Sequence, residues 1–360
     1  MCAERARRRA GSAADAPRRG GPHRVEPTPR VSILLPVYDA EATLAACLRS
    51  IARQTEPRFE CVLVDDGSRD GSLGIARRFA ARDARFCVVA AQHAGLIAAL
   101  QRGLAQCRAP WVARMDADDL MHRERLARQL AALTADPSLA AVGCHVRLFP
   151  RRALGDGMRA YEAWLAGIDS PQRVRAEAFV ECPVAHPTLT LRRDVLRAFG
   201  YREAGWPEDY DLLLRMLAAG LRVGVVPRRL HAWRQRPDRL SRTSEVYAAE
   251  RFTACKAAHL VRTFLAHADA YVLWGYGGTG RALARALRAH GRHPSRIVEL
   301  HPGRIGQRIH GAPVVSPEAL GGPPTPPIVV SVAGAEARAQ IRAALAQRGF
   351  RECADYVCAA

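Results

Sequence analysis

The sequence lacks the features that would place it in a membrane or outside the cell. It has no run of about 18 apolar residues, the length that a spanning helix needs, so no transmembrane helix is expected. Its first residues contain no apolar core of the kind found in a secretory signal. The ten cysteines include no Cys-x-x-Cys pair, which indicates reduced thiols. We therefore expect a cytoplasmic protein.

Aromatic residues are scarce, at 6% of the chain, and no recognised nucleic-acid-binding motif is present. Nucleic acid is therefore not an expected partner, although the net charge is +19. Part of this charge lies in residues 1–29, an Arg-rich segment without periodicity that we predict to be a disordered tail. The tail could contact an anionic membrane, which would put the protein at the inner face of the cell membrane. It could also be a transit peptide, against which Glu4 and Asp15 count, or a dispensable extension.

The most informative segment is a short apolar run from Trp111 that ends in three carboxylates. If the segment is extended, Asp116 and Asp118 project to the same side. Two carboxylates held that close repel each other unless a cation lies between them, and a hard divalent ion would suit them. A polar loop after a strand is the simpler alternative.

A second acidic cluster, Asp65 and Asp66, also follows a short apolar run. Residues 31–35 form a third such run, and segments with helical spacing separate the runs. Alternating strands and helices indicate parallel strands, whose carboxyl ends lie at one edge of the sheet. The acidic clusters should therefore line one crevice, and their charge suggests a metal-bound nucleotide.

Four motifs follow one another in the chain: Pro36-Val37-Tyr38, Val64-Asp65-Asp66-Gly67-Ser68, Asp116-Ala117-Asp118 and Glu208-Asp209. Over residues 31–242 they resemble family 2 glycosyltransferases of the GT-A fold. The resemblance implies an α/β domain with a mostly parallel mixed sheet flanked by helices. It also implies a nucleotide-sugar donor, with UDP as the expected nucleotide, a divalent metal ion (Mn²⁺ or Mg²⁺) and inversion at the anomeric carbon.

The resemblance further implies roles for single residues around the nucleotide. Pro36, Tyr38 and Glu41 would flank it, and Asp65, with Asp66 beside it, would hydrogen-bond a uracil-like base. These residues follow the first two predicted strands, so they would form one wall of the crevice.

By the same resemblance, Asp116 would lie by the ribose, and Asp116 and Asp118 would hold the metal that bridges the diphosphate. The chain departs from the family at two places. It has Asp39 after the tyrosine, where the family usually has Asn. The family also usually shows Asn in the later loop that reads Gln92-His93-Ala94-Gly95 here. Both departures leave the identity of the donor open.

Glu208 and Asp209 open a predicted helix, where acidic residues can simply complement the helix dipole. Inverting transfer needs a base for the acceptor hydroxyl, and the resemblance places that base at Asp209, with Glu208 as alternative or partner. It also places His186 near the donor, although a lone histidine is more often structural. Arg234, in a segment expected after the last core strand, would neutralise the leaving diphosphate or belong to a solvated basic loop.

The C-terminal part contains a Gly-x-Gly-x-x-Gly motif, Gly275, Gly277 and Gly280, between a predicted strand and a helix. Glu299 follows at the distance where an acidic residue could hold a ribose. We predict a small Rossmann-like domain over residues 268–360. The glycines could instead allow close packing of helix and strand.

The predicted organisation is thus a tail, a GT-A domain over residues 30–243, one connecting helix over residues 244–267 and the Rossmann-like domain. The leading hypothesis is an inverting glycosyltransferase that transfers a sugar from a nucleotide sugar to a glycan or a lipid-linked acceptor. One alternative is an NAD(P)-dependent oxidoreductase carried by the C-terminal domain. Another is a non-catalytic scaffold that binds nucleotide sugars.

Overall fold

The protein is described by a computed structural model that covers residues 28–323 and 326–360. Residues 1–27 of the predicted disordered tail lie outside the described residues. Two β-sheets, each flanked by helices, follow one another along the chain. This α/β architecture agrees with the predicted fold class.

The first sheet has eight strands. They are β1 (Val31–Val37), β2 (Phe59–Asp65), β3 (Phe86–Ala90), β4 (Trp111–Arg114), β5 (Leu120–Met121), β6 (Leu139–Phe149), β7 (Thr190–Arg192) and β8 (Arg222–Arg234). Their spatial order is β3-β2-β1-β4-β7-β6-β8-β5. Strands β1 to β4 are parallel to one another, and β7 is antiparallel to β4 and β6. The sheet is therefore mixed, with a parallel half that carries the acidic clusters at its carboxyl edge.

The helices of the chain cover both sheets. They are α1 (Glu41–Ala52), α2 (Ser72–Ala80), α3 (Leu96–Gln106), α4 (Arg125–Ala135), α5 (Asp156–Ala166), α6 (Pro171–Glu177), α7 (Arg193–Phe199), α8 (Glu208–Ala218), α9 (Leu240–Thr243), α10 (Ala249–Arg262), α11 (Gly278–Ala289) and α12 (Ala335–Gln347). Among the described residues, no helix is long and apolar enough to cross a bilayer.

The parallel strands form because their side chains are apolar on both faces. Every residue of β1 is buried, and its side chains alternate between two cores. Leu34 packs with Val64 in one core, whereas Ile33 and Leu35 pack with Leu44 of α1 in the other. Burial on both faces is typical of parallel strands covered by helices. This arrangement fixes the strand ends that carry the site.

The second sheet has six strands: β9 (Ala270–Trp274), β10 (His293–Val298), β11 (Arg308–Ile309), β12 (Ala312–Val315), β13 (Ile328–Val330) and β14 (Tyr356–Cys358). Their order is β11-β12-β10-β9-β13-β14, and all neighbours are parallel except β11 and β12. The predicted connecting helix over residues 244–267 is wrong in its limits, because only α10 is helical there apart from one short 3₁₀ turn. Residues around Ser244 and Ala248 are extended and break the helix.

The two parts of the chain are in direct contact. Glu177 of α6 is buried and accepts a hydrogen bond from Trp164. It also forms an ion pair with Arg342 of α12 at 3.0 Å. Lys256 of α10 donates to the carbonyl oxygen of Val180 at 2.6 Å. The second sheet therefore packs against the helices of the first part.

Candidate active site

A cavity of about 570 Å³ lies at the carboxyl edge of β1, β2 and β4. The sequence-predicted site residues that line it are Pro36, Tyr38, Asp66, Asp116, Asp118, His186, Glu208 and Asp209. Glu41, Asp65 and Arg234 are not among its lining residues. The structure thus brings together acids that are up to 143 positions apart in the chain, from Asp66 to Asp209.

The acid turn, residues 116–119, follows β4 directly. The expectation of an extended segment is wrong, because β4 ends at Arg114 and the acids lie in a turn closed by Asp119 N–H and the Asp116 carbonyl oxygen at 3.3 Å. A carboxylate oxygen from each of Asp116, Asp118 and Asp119 nevertheless lies within 4.8 Å of the others. Proximity of the acids comes from the turn, and not from strand alternation.

Charges around the acid turn shift the pKa values of its two cavity-lining acids in opposite directions. Burial alone would raise the pKa of Asp116, but the Arg114 guanidinium, 2.7 Å away, lowers it below its usual value. Burial, followed by repulsion from Asp119 and Asp116, raises the pKa of Asp118 to about 6. Of these two acids, Asp118 therefore gains more from a nearby cation.

Arg234 holds the acid turn from behind. Its backbone N–H donates to Asp119 at 2.7 Å, and its guanidinium donates to the Asp118 carbonyl oxygen at 2.6 Å and lies over the ring of Phe149. It lies within β8, so the expectation that its segment follows the last core strand is wrong. Two other arginines, described below, are better placed for the role predicted for Arg234, which is to neutralise the leaving diphosphate.

One wall of the cavity presents an aromatic face. The rings of Tyr38 and His93 are stacked with centroids 4.2 Å apart. Asp66 fixes this wall, because it accepts hydrogen bonds from the N–H groups of Ala94 and Gly95 and lies 2.9 Å from the His93 ring nitrogen. His93 lies in the loop that departs from the family pattern, so the sequence drew attention to that loop. Nothing in the sequence predicted the contact of His93 with Tyr38.

Asp65 and Glu41 support the neighbouring loop. Asp65 is buried beside it, accepts a weak bond from Ser68 N–H at 3.3 Å, and its second oxygen has no hydrogen-bond partner among the described residues. Glu41 accepts a hydrogen bond from Gly71 N–H at 2.9 Å. Gly67 has φ of +72°, and a Cβ there would lie 2.7 Å from the His93 nitrogen, so the turn requires glycine.

The acid pair Glu208–Asp209 lies across the cavity, in the first turn of α8. Burial, and then repulsion by Glu208, raises the pKa of Asp209 to about 8. Glu208 is also buried, which raises its pKa, but its carboxylate accepts a hydrogen bond from the Tyr247 hydroxyl at 2.6 Å. Asp209 is thus a half-buried carboxyl poised to exchange a proton near neutral pH.

His186 lines the cavity as a neutral ring. Burial, followed by the charge of Arg114, lowers its pKa to about 3. Its Nε2 atom lies 2.9 Å from the Tyr201 hydroxyl. A neutral His186 cannot neutralise phosphate charge, so any contact with a donor would be a hydrogen bond.

Residues 235–247, which we call the strap, close the remaining side of the cavity. They contribute Arg236, Arg239 and Tyr247 to its lining. The Arg239 guanidinium lies over the Trp233 ring and 3.9 Å from Asp116. Neither Arg239 nor Tyr247 was predicted as a site residue, because no motif in the sequence marks either one.

Packing explains two of the three glycines of the motif in the second sheet. Gly275 has φ of +93°, and a Cβ on Gly280 would lie 2.1 Å from the Gly275 carbonyl oxygen. Gly277 faces open space. Glu299 accepts hydrogen bonds from Tyr276 N–H at 2.9 Å and from Arg304 at 3.1 Å, so it closes the turn. The ligand role predicted for these residues remains a prediction.

Comparison with known proteins identifies the class. The crystal structure of S. aureus TarS 1-349 in complex with UDP-GlcNAc is similar over 72% of this chain and 72% of that one, with 19% identity and a TM-score of 0.53. At that identity the likeness is one of fold, and the fold is that of GT-A glycosyltransferases.

Sequence relatives then give the family. The profile of Glycosyl transferase family 2 matches residues 32–200. EpsE of Bacillus subtilis (strain 168) is 30% identical over 242 residues, covering 64% of this chain and 84% of the relative. The amylovoran biosynthesis glycosyltransferase AmsE of Erwinia amylovora is 32% identical over 200 residues, covering 54% and 73%. The chain belongs to glycosyltransferase family 2.

Proposed function

We propose that this protein is an inverting glycosyltransferase that transfers a sugar from a nucleotide sugar, a UDP-sugar in the first instance, to a glycan or lipid-linked acceptor. The observation that carries the proposal is the single cavity lined by the acid turn, the Tyr38–His93 face and Asp209. Each group matches one requirement of the reaction. The acid turn would stabilise the charge of the diphosphate through a bound cation, the Tyr38–His93 face would bind the nucleotide, and Asp209 would be the base for the acceptor.

The nucleotide would bind along the carboxyl edge of the parallel strands, where ligands of such sheets usually lie. Tyr38 is 41% exposed and offers its ring for stacking on a base. Binding of UDP-GlcNAc by the TarS neighbour supports a uridine nucleotide.

The acid turn fits a divalent cation. Its carboxylate oxygens are close enough to share one ion, and oxygen ligands are those that Mg²⁺ and Mn²⁺ accept. Asp116 and Asp118 would hold the ion, since both oxygens of Asp119 already accept hydrogen bonds from protein groups. When bound there, the ion would supply positive charge beside the leaving diphosphate.

The strap would add further positive charge. Arg236 and Arg239 line the cavity, whereas Arg234 faces the back of the acid turn. A guanidinium can hold phosphate oxygens with two parallel hydrogen bonds. We therefore assign the contact with the diphosphate to Arg236 and Arg239, and a supporting role to Arg234.

Asp209 would remove the proton from the acceptor hydroxyl as that oxygen attacks the anomeric carbon. The hydroxyl oxygen forms the new glycosidic bond, the bond to the diphosphate breaks, and the proton remains on the Asp209 carboxylate. Because attack and departure are on opposite faces of the sugar, the anomeric configuration inverts. No covalent intermediate on the protein is required.

The glycan acceptor is supported by the relative named for amylovoran biosynthesis. A lipid-linked form is supported by the strap, on which Leu240 and Val246 are exposed at 51% and 37% and Arg242 lies between them. Vesicles containing phosphatidylglycerol should then bind the protein, and vesicles of phosphatidylcholine alone should not.

For the C-terminal part we propose a Rossmann-like domain. The order of its parallel strands, β12-β10-β9-β13-β14, corresponds to the 3-2-1-4-5 order of that fold and supports the assignment. The oxidoreductase alternative has no comparable support, because the Glu299 carboxylate is already bonded to Tyr276 and Arg304.

The test is a screen of nucleotide sugars for release of UDP, GDP or dTDP, with Mn²⁺ and with EDTA. We expect metal-dependent release of UDP. Asp209→Asn should lower transfer by about 10²-fold or more while UDP affinity stays nearly unchanged. Asp194→Asn, at another acid in a first helical turn, is the control and should transfer normally. Transfer by Asp209→Asn at the wild-type rate would overturn the assignment.

A further inference from the structure

The third acid of the turn, Asp119, is fully buried and bonded to protein on both oxygens. One oxygen accepts from the Arg234 backbone N–H at 2.7 Å, and the other lies 2.8 Å from Nε2 of His231. Asp119 is absent from the lining of the cavity. It therefore differs from Asp116 and Asp118, which present their carboxylates to the cavity.

The state of His231 follows from its second neighbour, Arg125. A guanidinium nitrogen of Arg125 lies 3.1 Å from Nδ1 of His231. Arginine only donates hydrogen bonds, so Nδ1 must be the acceptor. The ring proton is then on Nε2, from which it is donated to Asp119. This chain of contacts assigns one tautomer to His231.

Arg125 is itself held from several sides without exposure to solvent. It is the largest fully buried side chain among the described residues. It donates to the Gln129 side chain at 3.1 Å and to the Arg114 carbonyl oxygen at 2.8 Å. Gln129 in turn donates to the Thr188 carbonyl oxygen at 2.7 Å. The start of α4 is thereby fixed to the end of β4.

A buried arginine and a buried aspartate joined through a histidine cost more desolvation than an apolar cluster of the same volume. Such a group is expected where it positions something. Here the aspartate is the last residue of the acid turn, and β8, which carries His231 and Arg234, continues directly into the strap. The network thus connects the two cavity walls that carry opposite charge.

We propose that Arg125, His231 and Asp119 form a positioning relay for the metal site: the Nε2–H of His231 holds Asp119 away from the ion and so fixes Asp116 and Asp118 in the cavity. This inference rests on the proposed function, because it concerns the ion that the acid turn would bind. Asp119 acts through the geometry of the turn and makes no contact with ion or substrate. Partners of this kind change metal affinity by about 10–100-fold when they are removed.

Two amide substitutions of His231 separate the two contacts of the ring. His231→Gln can place its amide N–H where Nε2 lies and keep the donor to Asp119. His231→Asn places its oxygen near Nδ1, keeps the acceptor for Arg125 and loses the donor to Asp119. His145→Asn is the matched control, because His145 is also buried in the same sheet but bonds to the Ile168 carbonyl oxygen at 2.9 Å.

The measurement is Mn²⁺ affinity in the presence of UDP, by electron paramagnetic resonance of free Mn²⁺, with UDP affinity in EDTA measured alongside. We expect His231→Asn to weaken Mn²⁺ binding by about 10–100-fold. His231→Gln and His145→Asn should stay close to wild type, and UDP affinity in EDTA should be unchanged in all three. Equal Mn²⁺ affinity of the Asn and Gln variants, whether high or low, would overturn the relay.

A second measurement uses the unaltered protein and does not depend on whether a variant folds. In a spectrum of ¹⁵N-labelled histidine, His231 should show the neutral Nε2–H tautomer, and the Nδ1–H tautomer would contradict the inference. Failure of the proposed function itself is distinguishable: the wild-type protein would then show no Mn²⁺-dependent binding of UDP at all, while the tautomer of His231 could still be read.

Discussion

At the scale of residues, Asp209 and Glu208 give the site a defined pH dependence. Burial and the neighbouring Glu208 raise the pKa of Asp209 to about 8, so below that pH the proposed base is protonated and cannot accept a proton. We expect kcat/KM to rise about tenfold per pH unit up to pH 8 and then level off. The measurement is a pH profile with a soluble acceptor.

The same profile has an internal control. Glu208→Gln removes the negative charge that contributes to the raised pKa of Asp209, so the midpoint of the profile should move to lower pH. A midpoint that stays in place would show that Asp209 is not the titrating group.

Tyr38 supplies a second prediction at this scale, through its stacked position beside His93. Tyr38→Ala should raise the KM for the donor by about 5- to 100-fold, because stacking on a base contributes about 1–3 kcal/mol. Since the chemical step does not involve this ring, kcat should change little. Tyr38→Phe keeps the aromatic face and serves as the control; a loss as large as that of Tyr38→Ala would argue against stacking.

At the scale of elements, α3 can pack closely against the sheet because Gly103 has no side chain. A Cβ at this position would lie 2.3 Å from Leu34 and 2.8 Å from Val64, both fully buried. We expect Gly103→Ala to lower the free energy of unfolding by about 1–3 kcal/mol through overpacking, as measured by urea denaturation.

The control for that prediction is Gly157 of α5, where an added Cβ meets nothing within 4 Å. Gly157→Ala should leave the free energy of unfolding unchanged or raise it by up to about 1 kcal/mol, because alanine favours the helix. If both variants lose stability equally, close packing of α3 is not the cause.

The elements also show what could be predicted from the sequence. β1, β2 and β4 were predicted because burial on both faces gives short, continuous apolar runs. β8 was not predicted because its 13 residues include several arginines, so its pattern is neither continuously apolar nor alternating. β3 was not predicted either, although its sequence, Phe-Cys-Val-Val-Ala, is a short apolar run of the same kind.

The residues of the candidate site also fall into those that the sequence predicts and those that it does not. Asp116, Asp118 and Asp209 lie directly after strand or helix boundaries, where the chain order alone indicates a shared edge. Arg239 and Tyr247 lie on the strap, and their place in the cavity depends on how a long segment folds back. No local pattern carries that information.

At the scale of the whole molecule, the buried Glu177 connects the two parts of the chain through Arg342. Arg342→Ala removes one partner of a buried carboxylate, while Trp164 still donates to it and Arg173 remains paired with it at 3.1 Å. We expect the free energy of unfolding to fall by about 1–3 kcal/mol, the cost of a poorly satisfied buried group. Thermal or urea unfolding measures it.

Arg351→Ala is the matched control, because its ion pair with Asp355 is at the surface, with the arginine 79% exposed. Such pairs contribute little, so the loss should stay below about 1 kcal/mol. Equal losses in the two variants would mean that the contact of Glu177 with Arg342 does not stabilise the junction.

The strap has a consequence for anyone who trims this protein to a smaller catalytic piece. The family profile stops at residue 200, yet the proposed base, two cationic groups and the phenol that bonds to Glu208 all come later in the chain. A fragment cut at the end of the family profile would keep the acid turn and lose its opposite wall. We therefore expect the smallest active fragment to reach at least to Tyr247. The next helix, α10, packs into the core of the C-terminal part.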